Sequence, residues 1–318
     1  MSSLSSKQGP RYRHVTGESE PYETIGVEKL TPIIGAEISG VDLAGSLSNR
    51  TMGEIHRALA ENLVIFFRDQ HITPQQHLAF GRKFGELHVH PAAPNEGDPA
   101  LMKIYADKDS PRANGEGWHS DVSCDVEPPM GSILYIRQCP PRGGDTLFAN
   151  MYAAWEALSD RMKAYLDGLT ALHDGEQTYR GLYANYGVAD RPEYPRAEHP
   201  VVRTHPVTGR KALYLCERSQ MDWFDGPFVG VEPGPYGEGA KLLDALMTHY
   251  TRPEFIYVHE WTQGDVLVWD NRCLVHTATW YDAEKEQRMM WRTTVRGNPG
   301  ALYAGEKRSW IPEEVAAE

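Results

Sequence analysis

The chain has 318 residues, of which 41% are hydrophobic, 24% charged and 10% aromatic, an ordinary globular composition that excludes disordered and fibrous classes and suffices for one large α/β or β-barrel domain. A net charge of −12 with no basic run excludes a nucleic-acid surface, although a few buried arginines would still accept a small anion. Cys124, Cys139, Cys216 and Cys273 form no CxxC pair and no apolar stretch approaches a membrane span, so the reading is a cytoplasmic protein without a membrane partner.

Residues 1–20, rich in Ser, Gly, Lys and Glu, read as a flexible N-terminal arm. Tyr22 to Val41 alternates apolar and polar residues around Pro32 and Gly35, the pattern of short antiparallel strands. Ser48-Asn49 caps a helix to Asn62, with Met52, Ile55 and Leu59 on one stripe. Val64-Ile65-Phe66-Phe67 is a buried strand, and Thr73-Pro74 opens a helix that Gly85 is expected to end. Short strands follow at Met102 to Tyr105, Ser132 to Ile136 and Thr146 to Phe148, then a helical pair at Tyr152–Leu158 and Ser159–Leu166. A Tyr- and Pro-rich stretch runs from Gln177 to Pro200 with no clear period.

Strands resume at Val201–Thr204 and Ala212–Leu215, and Cys216 to Gly239 reads as an ordered lid containing Trp223, Phe224 and Phe228 as pocket wall or core plugs. A helix at Ala240–Tyr250 and strands at Ile256–Trp261, Val266–Trp269 and Met290–Arg296 complete the core; His259-Glu260 reads as strand surface. Many short strands with segregated helices give a mainly β fold with flanking helices (α+β) and a double-stranded β-helix core of the jelly-roll, cupin-like kind. It forms a single domain over 21–300, followed by a C-terminal tail at 301–318.

Trp118-His119-Ser120-Asp121 offers an imidazole and a carboxylate two residues apart, on one face of an extended backbone. With thirteen histidines and forty-four acidic residues, about two such triplets arise by chance, so the triplet gains meaning only from its company. Asp270-Asn271-Arg272 is a polar corner before His276, which is expected to leave the sheet edge and point into the barrel mouth. His119, Asp121 and His276 together are the two-histidine, one-carboxylate set that holds non-haem Fe(II) with three positions open.

These residues, with Gly143-Gly144-Asp145-Thr146, Trp269-Asp270-Asn271-Arg272 and Arg288, resemble the motif set of the taurine dioxygenase (TauD/TfdA) family of Fe(II)- and 2-oxoglutarate-dependent dioxygenases. The resemblance runs from about Tyr22 to Pro299. It implies Fe(II) on His119, Asp121 and His276, and 2-oxoglutarate clamped by Arg288 with Thr146. It also implies O2 as co-substrate and hydroxylation of the substrate with release of succinate and CO2; next to a heteroatom, the adduct collapses with C–O or C–S cleavage. Substrate contacts implied are His90, Val122, Tyr179 and Arg292, while Asp270, Asn271 and Arg272 brace the corner.

Where taurine enzymes of the family hold the substrate amine with Tyr and Asn, this chain has Ala93 and Gly115. The expected substrate is therefore a small organic anion without a free amine: an aryloxyalkanoate, an alkylsulfate or a non-taurine sulfonate. Taurine dioxygenase proper and a jelly-roll metal-binding module without oxygenase activity stand as alternatives; a homo-oligomer, dimer or tetramer, is compatible with the family.

Overall fold

The computed structural model describes residues 20–90, 97–106, 108, 115–176, 194–222 and 226–297. The larger sheet has the order β1 (Gly26–Lys29), β2 (Ala36–Ser39), β3 (Val64–Phe67), β13 (Val266–Asp270), β6 (Gly131–Gln138), β15 (Arg288–Val295) and β4 (Leu87–His88), with β5 (Met102–Ala106) also paired to β15. The smaller sheet has β7 (Thr146–Asn150) between β12 (Ile256–His259) and β14 (Leu274–Ala278). Every pairing in the two is antiparallel except β2 with β3. The arrangement is the expected jelly-roll, with the flanking pairs β8 (Thr170–Asp174) with β9 (Arg196–Pro200) and β10 (Val202–Thr204) with β11 (Lys211–Leu213).

Two-residue alternation explains why central strands read as unbroken apolar runs. Ile65, Phe67, Ile133, Tyr135, Val266 and Val268 form one core with helix α1 (Asn49–Asn62) and helix α2 (Pro74–Gly81). Their neighbours Val64, Phe66, Leu134, Ile136, Leu267 and Trp269 turn the other way, into a second core with the smaller sheet. Helix α3 (Met151–Glu156), α4 (Asp160–Leu166) and α5 (Glu238–Tyr250) close the far side of that second core, through Tyr152, Leu166 and Leu243. On β15 the same rule sends Arg288, Met290, Arg292 and Thr294 to one face, and this face looks into the second core.

Local chemistry sets the helix starts. Ser48 accepts the Thr51 amide, and Thr73 with Gln76 forms a reciprocal capping box behind Pro74. Three expectations are corrected. Helix α2 stops at Gly81, before Gly85, because Lys83 and Phe84 bond three residues back and tighten the chain out of the helix. His276 does not leave the sheet but stands within β14, held by its pairing with Phe148. His259 is fully buried rather than on the surface, because the Asp265 turn folds back beneath it and its ring packs edge-on to Phe66 and Trp261.

Phe228, in the stretch read as a lid, is a core plug bridged to Ala171, whereas Trp223 and Phe224 lie outside the described residues. The arm at 1–20 lies outside them up to residue 19, and the tail at 301–318 does so entirely. No helix among the described residues is long and apolar enough to cross a membrane.

The corner that launches β14 is a buried ion network. Asp270 accepts from the Arg272 backbone, Nε and Nη2 at 2.9, 2.8 and 2.6 Å, and from His205 Nε2 at 2.9 Å. Burial would raise the Asp270 carboxyl, but Arg272 and His205 hold it well below the usual carboxylate range. Asp270→Ala leaves the Arg272 guanidinium buried without its anion and is expected to cost about 3–5 kcal/mol of stability. The test is the urea midpoint of the variant; an unchanged midpoint at unchanged slope contradicts the bracing role.

Candidate active site

His119 and His276 sit directly opposite each other and exchange both main-chain hydrogen bonds, at 3.0 and 2.8 Å. This bridge brings their rings to 4.2 Å between centroids. His119 Nδ1–H donates to the Gly117 carbonyl at 2.7 Å, which leaves Nε2 with a free lone pair. Asp121 Oδ1 lies 3.9 Å from His119 Nε2 and 4.0 Å from His276 Nε2. Two donors on one ion at about 2.1 Å each can lie up to about 4.2 Å apart, so a single metal ion fits this set.

Burial would raise the Asp121 carboxyl, yet Arg292, His276, His119 and the Ser132 hydroxyl together hold it well below the usual range. His276 is pulled down to about 3 by burial and then by His119, so it is a neutral imidazole. A deprotonated carboxylate and a neutral imidazole are the states in which such groups bind a metal. Ser132 donates to Asp121 Oδ2 at 2.6 Å, leaving Oδ1 as the oxygen that faces both histidines. After Asp121 the chain turns at Val122, whose φ of 49° is left-handed, an uncommon conformation for a β-branched residue. This turn presents the buried Val122 side chain to the cavity.

That cavity, about 150 Å³, is lined by His90, His119, Asp121, Val122, Thr146, His276, Arg288 and Arg292, all of them read as site residues from the sequence. Tyr179, the remaining one, lies outside the described residues, as does Ala93. Arg288 is almost fully buried, yet among the described residues it has no carboxylate within salt-bridge distance. Burial pulls its guanidinium down to about 10, opposed by Tyr281, Asp145 and Cys139, so it stays charged at neutral pH. Gly144, at φ 72°, lets the backbone pass close by: an added Cβ would lie 3.4 Å from Arg288 Cδ.

The Trp261 indole N–H donates to Thr146 Oγ1 at 3.0 Å. The hydroxyl proton of Thr146 is thereby left to donate elsewhere. Arg292 Nη1 donates to Asp121 Oδ1 at 3.1 Å, and Nη2 to Met102 Sδ at 3.3 Å. Arg292 thus meets the carboxylate oxygen that faces both histidines as well as the cavity.

Sequence reading missed Ser132 and Trp261, together with Gln220, Met102, Ile104 and Leu134 of the cavity wall. Ser132 left a trace, as a polar residue on the inward face of an otherwise apolar strand; the others show only once the sheets are assembled. A further buried trio, His205, Asp270 and Cys273, also has metal-compatible spacing. It is no second metal centre, because the Asp270 oxygens already accept from Arg272 and His205.

Two imidazoles and one carboxylate converging inside a jelly roll, beside a buried arginine with no carboxylate partner among the described residues, define the non-haem iron oxygenase class. The family model for the Taurine catabolism dioxygenase TauD, TfdA family matches residues 26–294, and the chain belongs to that family. It is an Fe(II)- and 2-oxoglutarate-dependent dioxygenase, with O2 as the second co-substrate.

The chain is 33% identical to the (S)-phenoxypropionate/alpha-ketoglutarate-dioxygenase of Sphingobium herbicidovorans over 292 residues, covering 87% of this chain and 97% of that one. It is 33% identical to an alkylsulfatase of Acinetobacter baylyi over 309 residues, covering 94% and 93%. Among solved structures, AAD-2 in complex with Mn(II) and N-oxalylglycine aligns with a TM-score of 0.76 at 31% identity, over 88% of this chain and 100% of that one. A taurine dioxygenase from Burkholderia xenovorans aligns with a TM-score of 0.73 at 35% identity, over 93% and 98%.

Proposed function

We propose that His119, Asp121 and His276 hold the Fe(II), that Arg288 and Thr146 bind the far carboxylate of 2-oxoglutarate, and that Arg292 with His90 receives the anionic group of the substrate. The observation that carries this reading is the pair of arginines on one face of β15, both lining the cavity. Leaving aside the solvent-exposed Glu116, two guanidiniums and a divalent ion against the Asp121 carboxylate leave three positive charges in the site. The two carboxylates of the co-substrate neutralise two of them, and one remains for a monoanion. Bound iron supplies the activation of O2 that drives co-substrate decarboxylation and substrate hydroxylation; the protein's part is to orient both anions and keep water out.

The substrate is an amine-free anion with a carbon-rich body: an aryloxyalkanoate, an alkylsulfate or a non-taurine sulfonate. Gly115 lines the cavity without a side chain, so this position offers nothing to an ammonium group. A buried ammonium without a partner costs several kcal/mol, and the neighbouring Glu116, which also lines the cavity, is exposed to solvent and offers only a screened charge. Val122, Met102, Ile104, Leu134 and Met290 line the cavity with apolar surface, which favours an apolar body by about 25 cal/mol per Å² buried. Hydroxylation at the carbon bearing the ether, ester or sulfonate group gives an adduct that collapses with C–O or C–S cleavage.

Succinate release, measured over a panel of these anions and taurine, tests the reading. At least one amine-free anion is expected to exceed taurine in kcat/KM by about tenfold, a margin of only about 1.4 kcal/mol. Arg292→Ala is expected to remove most of that activity while 2-oxoglutarate still binds. Efficient taurine turnover, or indifference to the Arg292 change, contradicts the assignment.

A further inference from the structure

We propose that Glu217 is a positioning residue for the His119 imidazole and acts on it through a single peptide plane; the inference rests on the reading of His119 as a metal ligand. The Trp118 N–H donates to Glu217 Oε2 at 2.9 Å, and the Gly117 carbonyl accepts the His119 Nδ1–H at 2.7 Å. That N–H and that carbonyl are the two ends of one peptide unit. Glu217 therefore stands to His119 as the carboxylate of a carboxylate–histidine–metal triad does, with an amide inserted as the relay.

The geometry holds the relay in register. The Glu217 N–H donates back to the Trp118 carbonyl at 2.8 Å, and the Ser219 hydroxyl donates to Glu217 Oε1 at 2.8 Å, so the carboxylate is fixed at both oxygens. Gly117 has φ 86°, and a Cβ there would lie 2.2 Å from Glu217 Oε1. The carboxylate thus lies where a side chain would stand, and glycine is the residue that admits it.

An anion on the amide N–H draws positive charge to that end of the peptide and enriches its carbonyl oxygen, so consecutive hydrogen bonds reinforce each other. A stronger acceptor on Nδ1–H makes Nε2 a better donor to metal and fixes the ring's tautomer and tilt. A second consequence concerns the cavity wall: Gln220, three residues on, lines the cavity, so the segment that tunes His119 also borders the substrate.

The test uses metal-free full-length protein and Mn(II) as the probe. Calorimetric titration gives its affinity for the wild type, Glu217→Gln, Glu217→Ala and an Asp121→Ala control, and the His119 Nδ1–H proton is followed by NMR in 15N-histidine-labelled samples. Loss of an outer-shell partner typically weakens metal binding by about 10–100-fold, and that is expected for Glu217→Ala. Glu217→Gln keeps an acceptor but not the charge; its affinity should fall between the two, with the Nδ1–H resonance moved upfield. Should the alanine variant fail to fold, the glutamine variant decides alone. If Glu217→Gln matches the wild type in both affinity and proton shift, the carboxylate only braces the loop and the proposal is overturned. If the Asp121→Ala control binds Mn(II) as tightly as the wild type, the metal reading itself has failed and the relay falls with it.

Discussion

Asp121→Ala is expected to abolish stoichiometric Fe(II) uptake and to lower turnover of any substrate by more than about a hundredfold. Structural zinc sites derive about 10–16 kcal/mol from four ligands, or about 3 kcal/mol each, which is about two orders of magnitude in affinity. Asp121 contributes more than an average ligand, being the anionic member of the set. Its Oδ1 is the atom both histidines face, while Ser132 keeps Oδ2 engaged. The change also leaves the largely buried Arg292 without the carboxylate it now meets. Anaerobic Fe(II) titration of the variant, following the visible charge-transfer band that appears with 2-oxoglutarate, measures the loss. An unaltered band at unaltered iron concentration shows that the metal lies elsewhere.

Arg288→Ala should weaken 2-oxoglutarate by about 2–5 kcal/mol, the range for removing one partner of a buried charged pair, or about thirtyfold to several-thousandfold. Iron uptake should survive, because Arg288 contacts none of the three proposed ligands. The effect belongs at the upper end. Arg288 is buried, has no carboxylate partner among the described residues and stays charged, so the co-substrate's far carboxylate is the anion that would complete it. Arg288→Lys should recover only part of the loss, since an ammonium cannot reproduce the planar fork. Thr146 adds a neutral hydrogen bond, so Thr146→Val should weaken the co-substrate less, by about 1 kcal/mol. A KM for 2-oxoglutarate that ignores the Arg288 change would remove the clamp from the account.

Much of this was legible in the sequence because it rests on short-range rules. The runs at 64–67 and 266–269 announce strands with both faces buried, and a spacing of four in a strand puts Arg288 and Arg292 on the same face. What escaped depends on long-range contact. Ser132 meets Asp121, and Trp261 meets Thr146, only after β6 and β12 are laid beside their partners. His259 reads as strand surface because alternation says nothing of the Asp265 turn that covers it. His276, past the corner as expected, does not leave the sheet edge, because the pairing of β14 with β7 keeps it inside the sheet. Strand β8 gave no signal, since Thr170–Asp174 mixes polar and apolar residues as a loop would. Tyr179 stays an expectation drawn from family likeness, outside the described residues.

The main-chain bridge between His119 and His276 bears on how the enzyme handles its metal over time. In a zinc finger the ion is the staple, and the apo-chain unfolds. Here the main-chain bridge fixes the two histidine backbones opposite each other, so the proposed ligand set is part of the folded sheet rather than assembled by the ion. Iron is therefore expected to leave and return without a refolding step, and chelation to act as a reversible off state rather than as a route to denaturation. Loading then only adds binding free energy to an already stable chain, so the melting temperature rises with free metal concentration along a smooth mass-action curve.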